Sequence, residues 1–282
     1  MSELDAVPRH PWNVNFQWEA HAGPHRRLTD AQATQFDELG FVVIEDAVDA
    51  ATLERVIGEI DRFEAELETF LRTLDDDRAF IAEAGAITFT THLVARSQTM
   101  RDLAVSPVFV DLAADLIGPD VNMYWDQAVY KKPEKPRRFP WHQDNGYTFI
   151  EPQQYLTCWI ALTDADERNG CPWIAPGVHR LGTLAHTYVE PLGFECFAEP
   201  PTPPQPAPVR AGSALAFSSL TPHMTGPNLT NAVRKAYILQ YAPEGAHVLR
   251  GDAGSGPPVQ RELCVDPDRQ FPVLRGGEPV SR

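Results

Sequence analysis

A histidine and an aspartate separated by one residue, His142 and Asp144, are the side chains in this sequence best suited to hold a metal. They lie in a segment that we predict to be a strand, and alternate side chains of a strand point to the same face. An imidazole and a carboxylate on one face would form two sides of a metal site. A third ligand must then come from a distant part of the chain. Four other histidines are candidates: His179, His186, His223 and His247.

Of these four, His223 has the most favourable surroundings. It ends a predicted strand and is followed by a turn over 226–228, where glycine, proline and asparagine favour chain reversal. The next predicted strand begins with Arg234. If the two strands form a hairpin, residues 223 and 234 lie nearly opposite each other. Thr225 would face the same side as His223.

Two imidazoles and one carboxylate leave open positions on one side of a metal, an arrangement typical of non-haem Fe(II) oxygenases. A guanidinium such as that of Arg234 binds a carboxylate through two hydrogen bonds. 2-Oxoglutarate suits both features, because it chelates iron at one end and carries a second carboxylate at the other. The joint pattern therefore indicates iron, with this keto-diacid as cosubstrate.

The elements that must position these residues fall into two groups. The first part of the chain is predicted to be mainly helical, with one buried strand. Its elements are a short helix capped by Thr29 or Asp30 and ending near Gly40, a strand over 41–44, a helix from 49 to about 74 and a helix over 107–117. Short alternating stretches separated by turn residues follow, and they predict an antiparallel β-sandwich or barrel. They cover 121–130, 155–163, 171–175, 213–217 and 234–241.

Composition argues against several classes of partner. The chain has 282 residues and a formal net charge of −15, which disfavours nucleic acid and anionic membrane surfaces. No run approaches the roughly 18 consecutive apolar residues of a membrane span. The four cysteines lack metal-type spacing and are expected to be reduced thiols, so we predict a cytoplasmic protein. We also predict a small-molecule substrate. The sequence does not indicate the oligomeric state.

From about residue 118 to 243, the chain resembles the phytanoyl-CoA dioxygenase (PhyH) family of Fe(II)/2-oxoglutarate-dependent oxygenases. Several motifs in the family's order carry this resemblance, and Gly212 and Arg234 each lie eleven residues from His223. The motifs are Gly118-Pro-Asp-Val, Lys132-Pro133, His142-Gln-Asp144, Trp159-Ile-Ala-Leu-Thr-Asp, Asn169-Gly170-Cys171 and Pro176-Gly177-Val178-His179.

The resemblance implies a mainly β fold with N-terminal helices and a double-stranded β-helix core of the jelly-roll, cupin-like type. It implies that His142, Asp144 and His223 are the iron ligands and catalytic residues. It also implies that Arg234 holds the distal carboxylate of 2-oxoglutarate, assisted by Thr225. Two further positions that match cosubstrate contacts of the family are Gln127 and Trp159, and Thr88 or Thr90 is a weaker match.

The implied reaction is the hydroxylation, or another oxidation, of an unactivated C–H bond, with consumption of O2 and release of succinate and CO2. We expect a small, mainly apolar metabolite or an acyl group as substrate. Aromatic residues near the motif that could line its pocket are Tyr147, Trp141, Phe149 and Trp125. The charged run over 131–138 could attract an anionic group, although such runs are more often solvated loops.

We expect one domain over 1–282, divided into an irregular arm (1–27), a helical support (28–118), a jelly-roll core (119–243) and an irregular tail (244–282). The proline-rich segment 199–208 is unsuited to a central strand and is either a lid or a surface loop. Two other functions stay open at this point. The same triad could hold Zn(II) for hydrolysis, or the chain could be a non-catalytic jelly-roll binding module.

Overall fold

The structure, a computed structural model, describes residues 3–133 and 139–280. The α-helices in this part of the chain are α1 Asp30–Leu39, α2 Ala50–Leu71, α3 Gln98–Ala104, α4 Pro107–Leu116 and α5 Asp144–Tyr147. The strands are β1 Phe41–Ile44, β2 Arg78–Ala79, β3 Ala82–Glu83, β4 Ile87–Thr91, β5 Val121–Lys131, β6 Ile150–Glu151, β7 Leu156–Ala161, β8 Pro172–Ile174, β9 Thr187–Val189, β10 Gly193–Glu195, β11 Gln205–Pro206, β12 Ala214–Ser218, β13 His223–Thr225, β14 Arg234–Pro243, β15 His247–Arg250, β16 Gln260–Leu263, β17 Pro272–Arg275 and β18 Glu278–Pro279.

Polar caps set the ends of the N-terminal helices. Thr29 caps α1 through a reciprocal capping box with Gln32, and Gly40 ends this helix in the left-handed conformation that favours glycine. Asp49 caps α2 by accepting a hydrogen bond from the Thr52 amide. The first two predicted helices are therefore confirmed, although α2 ends at Leu71 rather than near 74.

The largest sheet has the strand order β1-β12-β7-β14-β5-β4-β3-β2, and β17 also pairs with β5. Side chains of its central strands alternate between two faces. On one face, Ile160 and Leu239 share a core with residues of α2, α3 and α4. On the other face, Trp159 and Ile238 line the interior of the fold. Burial of one such large apolar side chain contributes roughly 1.5–3 kcal/mol, so this alternation stabilises both layers.

A smaller sheet, β11-β8-β13, lies on the other side of this interior. Ile174 of β8 packs in the same cluster as Trp159 and Ile238 of the large sheet. A backbone bridge between His142 and His223 adds the segment around His142 to the small sheet. Two antiparallel sheets that enclose one interior form a jelly roll, so the predicted mainly β fold with N-terminal helices is confirmed.

Two expectations about the chain path were wrong. His223 and Arg234 do not lie on a hairpin, because β13 pairs with β8 whereas β14 pairs with β5 and β7. The tail after residue 243 is not irregular, since β15 pairs with β6 and β17 pairs with β5. These tail strands are only four residues long and are separated by glycine- and proline-rich turns. Four residues are too few to show a clear alternation of apolar and polar side chains in the sequence. The single domain over 1–282 stays a prediction.

Candidate active site

The His142–Asp144 motif lies where a strand-like bridge gives way to a helical turn. His142 and His223 exchange two backbone hydrogen bonds, of 3.0 and 2.9 Å, which bring the two imidazoles side by side. Asp144 is the first residue of the short helix α5. The side chains therefore converge because the chain turns after His142, and not through the strand alternation that we had expected.

Backbone carbonyls orient both imidazoles. Nδ1 of His142 donates to the Pro140 carbonyl at 2.8 Å, and Nδ1 of His223 donates to the Thr221 carbonyl at 3.0 Å. These bonds place the proton on Nδ1 and leave Nε2 with a free lone pair, as a metal ligand requires. Burial lowers the pKa of His142 strongly and that of His223 to about 4, so both rings are neutral near pH 7.

The Asp144 carboxylate completes a compact set of ligand atoms. One atom from each of His142, Asp144 and His223 lies within 4.8 Å of the others, and Oδ1 of Asp144 is 3.8 Å from Nε2 of His223. Burial raises the pKa of Asp144, which marks a carboxylate held in an apolar site. Two neutral imidazoles and one carboxylate on one side of an open cavity suit Fe(II).

Two side chains outside the triad fix the Asp144 carboxylate. Thr157 on β7 donates its hydroxyl proton to Oδ2 of Asp144, and Nε2 of Gln240 on β14 donates to Oγ1 of Thr157 at 3.2 Å. This chain of bonds leaves Oδ1 to face His223. Neither Thr157 nor Gln240 was predicted, because a polar residue on a strand gives no sign of its partner.

Replacing Thr157 with valine should weaken iron binding about tenfold to a hundredfold, since partners of metal ligands typically contribute this much. Thr157→Val keeps the shape of the side chain and removes the hydroxyl that holds Asp144. Fe(II) affinity, measured by equilibrium dialysis, checks the effect. Thr34→Val, an exposed position on α1, is the control. Equal iron affinity for the wild type and Thr157→Val would contradict a positioning role for this hydroxyl.

An inner cavity of about 80 Å³ adjoins the triad. Gln127, Ile238 and Trp159 are paired across β5, β14 and β7, so their side chains project side by side into it. Arg234 lies at the same cavity with only 1% of its surface exposed, and its guanidinium is 5.3 Å from the centre of the Trp159 ring. Thr225 also lines it. The four residues expected to contact the cosubstrate are thus brought together.

Lys131 is a buried cation that the sequence did not single out. It is 2% exposed, and its Nζ donates to the Gly226 carbonyl at 2.5 Å and to Oγ1 of Thr225 at 3.3 Å. In the strand register it lies opposite Arg234. The start of the charged run 131–138 is therefore not a solvated loop. The rest of that run, 134–138, lies outside the described residues.

A larger outer cavity of about 540 Å³ opens on the other side of the triad. Tyr147 and Trp125 line it, as the sequence indicated. Two other aromatic residues expected there do not reach it. Trp141 points away from the side of His142 and is buried beside Val178 and Leu184, in line with strand alternation.

Phe149 is the second aromatic residue whose expected position was wrong. It packs against His10 and Trp12 of the N-terminal arm, with ring centroids at 4.6 and 5.8 Å. The helical turn of α5 separates Phe149 from the motif and reverses its direction. Segment 199–208 contributes no residue to the described walls of either cavity.

Other cavity residues became visible only in three dimensions. The β5–β14 register shifts between Gln240 and Tyr241, which leaves Tyr124 as an extra residue in β5. Such a bulge re-aims side chains, and Tyr124 and Trp125 both line the outer cavity. Phe80 and Phe194, on two distant hairpins, line it as well.

The expectation for Thr88 and Thr90 was wrong. Strand β4 presents Ile87, Phe89 and Thr91 to the cavities. The alternate residues therefore face the helices, and Thr88 donates to a carboxylate oxygen of Glu64 on α2 at 3.1 Å.

The rejected histidines serve structural roles. His179 is buried, and its Nε2 donates a hydrogen bond to the Asp37 carbonyl at 3.2 Å. Its ring packs edge to face against Trp18. His186 lies behind the motif loop, where its Nε2 accepts the Gln143 amide at 3.0 Å. Gly146 packs directly on this ring, with no room for a side chain. His186 therefore supports the loop that carries the metal ligands.

Comparison with known proteins agrees with this site. A family model described as Phytanoyl-CoA dioxygenase (PhyH) matches residues 36–236. The chain belongs to the PhyH family. Among relatives, the Methylphosphonate hydroxylase of Gimesia maris is 26% identical over 268 residues, covering 90% of this chain and 93% of the relative. The peroxisomal Phytanoyl-CoA dioxygenase of Rattus norvegicus is 24% identical, covering 87% of this chain and 78% of the relative.

Solved structures share the fold of this PhyH member. The non-heme alpha ketoglutarate dependent carbocyclase SnoK from nogalamycin biosynthesis superposes with a TM-score of 0.70 at 20% identity, covering 90% of this chain and all of that chain. The epimerase SnoN, solved with Fe3+, alpha ketoglutarate and nogalamycin RO, gives a TM-score of 0.65 at 24% identity, covering 86% of this chain and 97% of that chain. At this level of identity the likeness supports the jelly-roll core.

Family membership together with the triad assigns the enzyme class. The protein is an Fe(II)- and 2-oxoglutarate-dependent oxygenase that uses O2, as its sequence predicted. Among the described residues, every helix is too short or too polar to cross a bilayer.

Proposed function

We propose that this PhyH member hydroxylates, or otherwise oxidises, an unactivated C–H bond of a small, mainly apolar metabolite or acyl group. One observation carries the proposal: His142 and Asp144, two of the three residues of the triad, line both cavities and so stand at their boundary. The inner cavity is charged and the outer one is largely apolar. A cosubstrate on one side and a substrate on the other would thus meet at the metal.

In this proposal His142, Asp144 and His223 hold Fe(II), and Arg234 holds the distal carboxylate of 2-oxoglutarate. Iron with 2-oxoglutarate and O2 supplies an oxidant for the C–H bond and releases succinate and CO2. The chain contributes position and the exclusion of water. The Arg234 guanidinium lies over the Trp159 ring, 5.3 Å from its centre, at a distance that allows a cation–π contact. Gln127 lines both cavities and is placed to contact either molecule.

The zinc-hydrolase alternative is less well supported. Two histidines and a carboxylate also suit Zn(II), but hydrolysis gives no use for a buried guanidinium beside the metal ligands. A non-catalytic binding module gives no reason for two imidazoles whose Nδ1 protons are both fixed so that Nε2 is free.

Oxygen consumption tests the proposed chemistry. Protein supplied with Fe(II), 2-oxoglutarate and O2 should produce succinate and consume O2 in equal amounts. The reaction should be slow without an oxidisable substrate and faster when an accepted substrate is added. Omission of 2-oxoglutarate is the control. Hydrolysis of model esters with Zn(II), together with no succinate from the iron-loaded protein, would overturn the proposal.

A further inference from the structure

Aromatic residues are the largest group in the walls of the outer cavity. Eight of its nineteen lining residues are phenylalanine, tyrosine or tryptophan, and they come from separate parts of the fold. Trp125 and Tyr124 lie on β5, Phe194 on β10 and Phe80 in the turn between β2 and β3. Aromatic side chains are rigid and flat, so they favour ligands with flat surfaces that can stack on them.

Ring contacts run without interruption from the cavity mouth to the metal ligands. Phe80 and Tyr188, which are 58% and 37% exposed, stack with centroids 5.8 Å apart and planes 20° apart. Tyr188 meets Phe194 at 5.4 Å, Phe194 meets Tyr147 at 5.3 Å, and Tyr147 meets the His142 ring at 5.3 Å. These contacts connect the lining residues Phe80, Phe194 and Tyr147 to the ring of His142, with Tyr188 supporting Phe80 and Phe194 from outside the lining.

Charge is scarce along this path. Among the described residues that line the outer cavity, His142 and Asp144 are the titratable histidine and carboxylate, and lysine and arginine are absent. On the hairpin of β2 and β3, Arg78 is paired with Glu83. The described lining of the outer cavity therefore provides no lysine or arginine to pair with an anion.

The size of the cavity favours a substrate much larger than a few atoms. A volume of about 540 Å³ lies within the range of about 300–1,000 Å³ that is usual for drug-sized ligands. Methylphosphonate, for which the Gimesia maris relative is named, would leave most of this space unfilled. Its charge would also meet no described cation in the outer cavity.

We infer that the outer cavity takes an uncharged substrate built of fused or linked rings, and neither an anion nor an acyl thioester of coenzyme A. Uncharged polar groups in the described lining can bind a few hydroxyl or carbonyl groups and set the orientation of the rings. They belong to Thr91, Gln127, Thr148, Gln240 and the three lining tyrosines. The inference rests on the proposed function, because it assigns the outer cavity to the substrate.

Calorimetric titration of the anaerobic protein loaded with Fe(II) and 2-oxoglutarate tests the inference with three probes. Estradiol is a neutral four-ring compound, estradiol 3-sulfate adds one negative charge to the same rings, and decanoyl-CoA is an anionic acyl thioester. We expect estradiol to bind at micromolar concentration, its sulfate at least about tenfold more weakly, and decanoyl-CoA not at all.

Variants of the wall show whether binding occurs in this cavity. Phe80→Ala and Phe194→Ala should each weaken estradiol binding by about tenfold, because each removes an aromatic contact. Phe70→Ala, an exposed phenylalanine of α2 outside the cavity lining, is the matched control and should change nothing. Thr91→Lys, which adds a cation to the wall, should reverse the preference between estradiol and its sulfate.

The visible absorption of the iron–2-oxoglutarate complex separates two kinds of failure. If the absorption forms but estradiol does not bind, binds no better than its sulfate, or binds less well than decanoyl-CoA, the inference is overturned and the proposed function stands. If the absorption does not form, the proposed function fails and the inference fails with it.

Discussion

Replacement of His142 with alanine is expected to abolish iron-dependent turnover. The ring contributes one of three ligands, and its Nε2 is already free because Nδ1 is bonded to the Pro140 carbonyl. Loss of a hydrogen-bond partner of a metal ligand already costs about tenfold to a hundredfold in metal affinity, so loss of one of only three ligands should lower Fe(II) affinity by at least about a hundredfold. Equilibrium dialysis of Fe(II) and succinate formation measure the two losses.

His247 provides the control for this experiment. It lies on β15, and it belongs neither to the triad nor to the lining of either cavity. His247→Ala should bind Fe(II) and form succinate as the wild type does. If His142→Ala kept normal iron affinity, this histidine would not be a ligand.

Loss of the Arg234 guanidinium is expected to act on the cosubstrate and not on the metal. Two charge-assisted hydrogen bonds to a carboxylate contribute about 3–4 kcal/mol together, so Arg234→Leu should raise the KM for 2-oxoglutarate by about a hundredfold to a thousandfold. Fe(II) affinity should change little, because Arg234 is not among the three ligands. Steady-state kinetics and dialysis of the same protein separate the two effects.

Two further variants are controls for a general effect of the substitution on the fold. Arg234→Lys keeps the positive charge but loses the paired geometry, so its KM should lie between those of the wild type and Arg234→Leu. Arg210→Leu removes an exposed arginine that is paired with Glu45 on the surface and should leave the KM unchanged. An unaltered KM for Arg234→Leu would refute the proposed contact with 2-oxoglutarate.

The chemistry of the site was largely readable from the sequence, whereas the reason for its geometry was not. His142, Asp144 and His223 were identified by residue type and spacing, and the structure brings them together. The expected strand and hairpin were incorrect, because convergence depends on a turn at Asp144 and on two facing sheets. Such contacts join residues far apart in the chain, and the local pattern of apolar and polar residues cannot predict them.

The substrate side was less predictable than the metal side. Trp141 could have been excluded, since it neighbours His142 on an extended segment and must point the other way. Tyr124 could not have been identified, because a bulge depends on the register between two strands. Phe80 and Phe194 lie on short hairpins whose association at the cavity appears only in the fold.

The fold was predicted best where capping and periodicity agree. Thr29, Gly40 and Asp49 mark the ends of α1 and the start of α2, and the structure places those ends there. Short strands were missed where too few residues define a period. Strand β17 is an example, because its four residues join the large sheet beside β5 only through distant pairing.

The most direct test of the account is the visible absorption of the anaerobic protein when Fe(II) and 2-oxoglutarate are added together. We predict a broad charge-transfer band that needs both additions, is lost in His142→Ala and appears only at much higher 2-oxoglutarate concentration in Arg234→Leu. Tight binding of zinc with no band from iron and 2-oxoglutarate would contradict the central claim that this triad holds iron for oxidation.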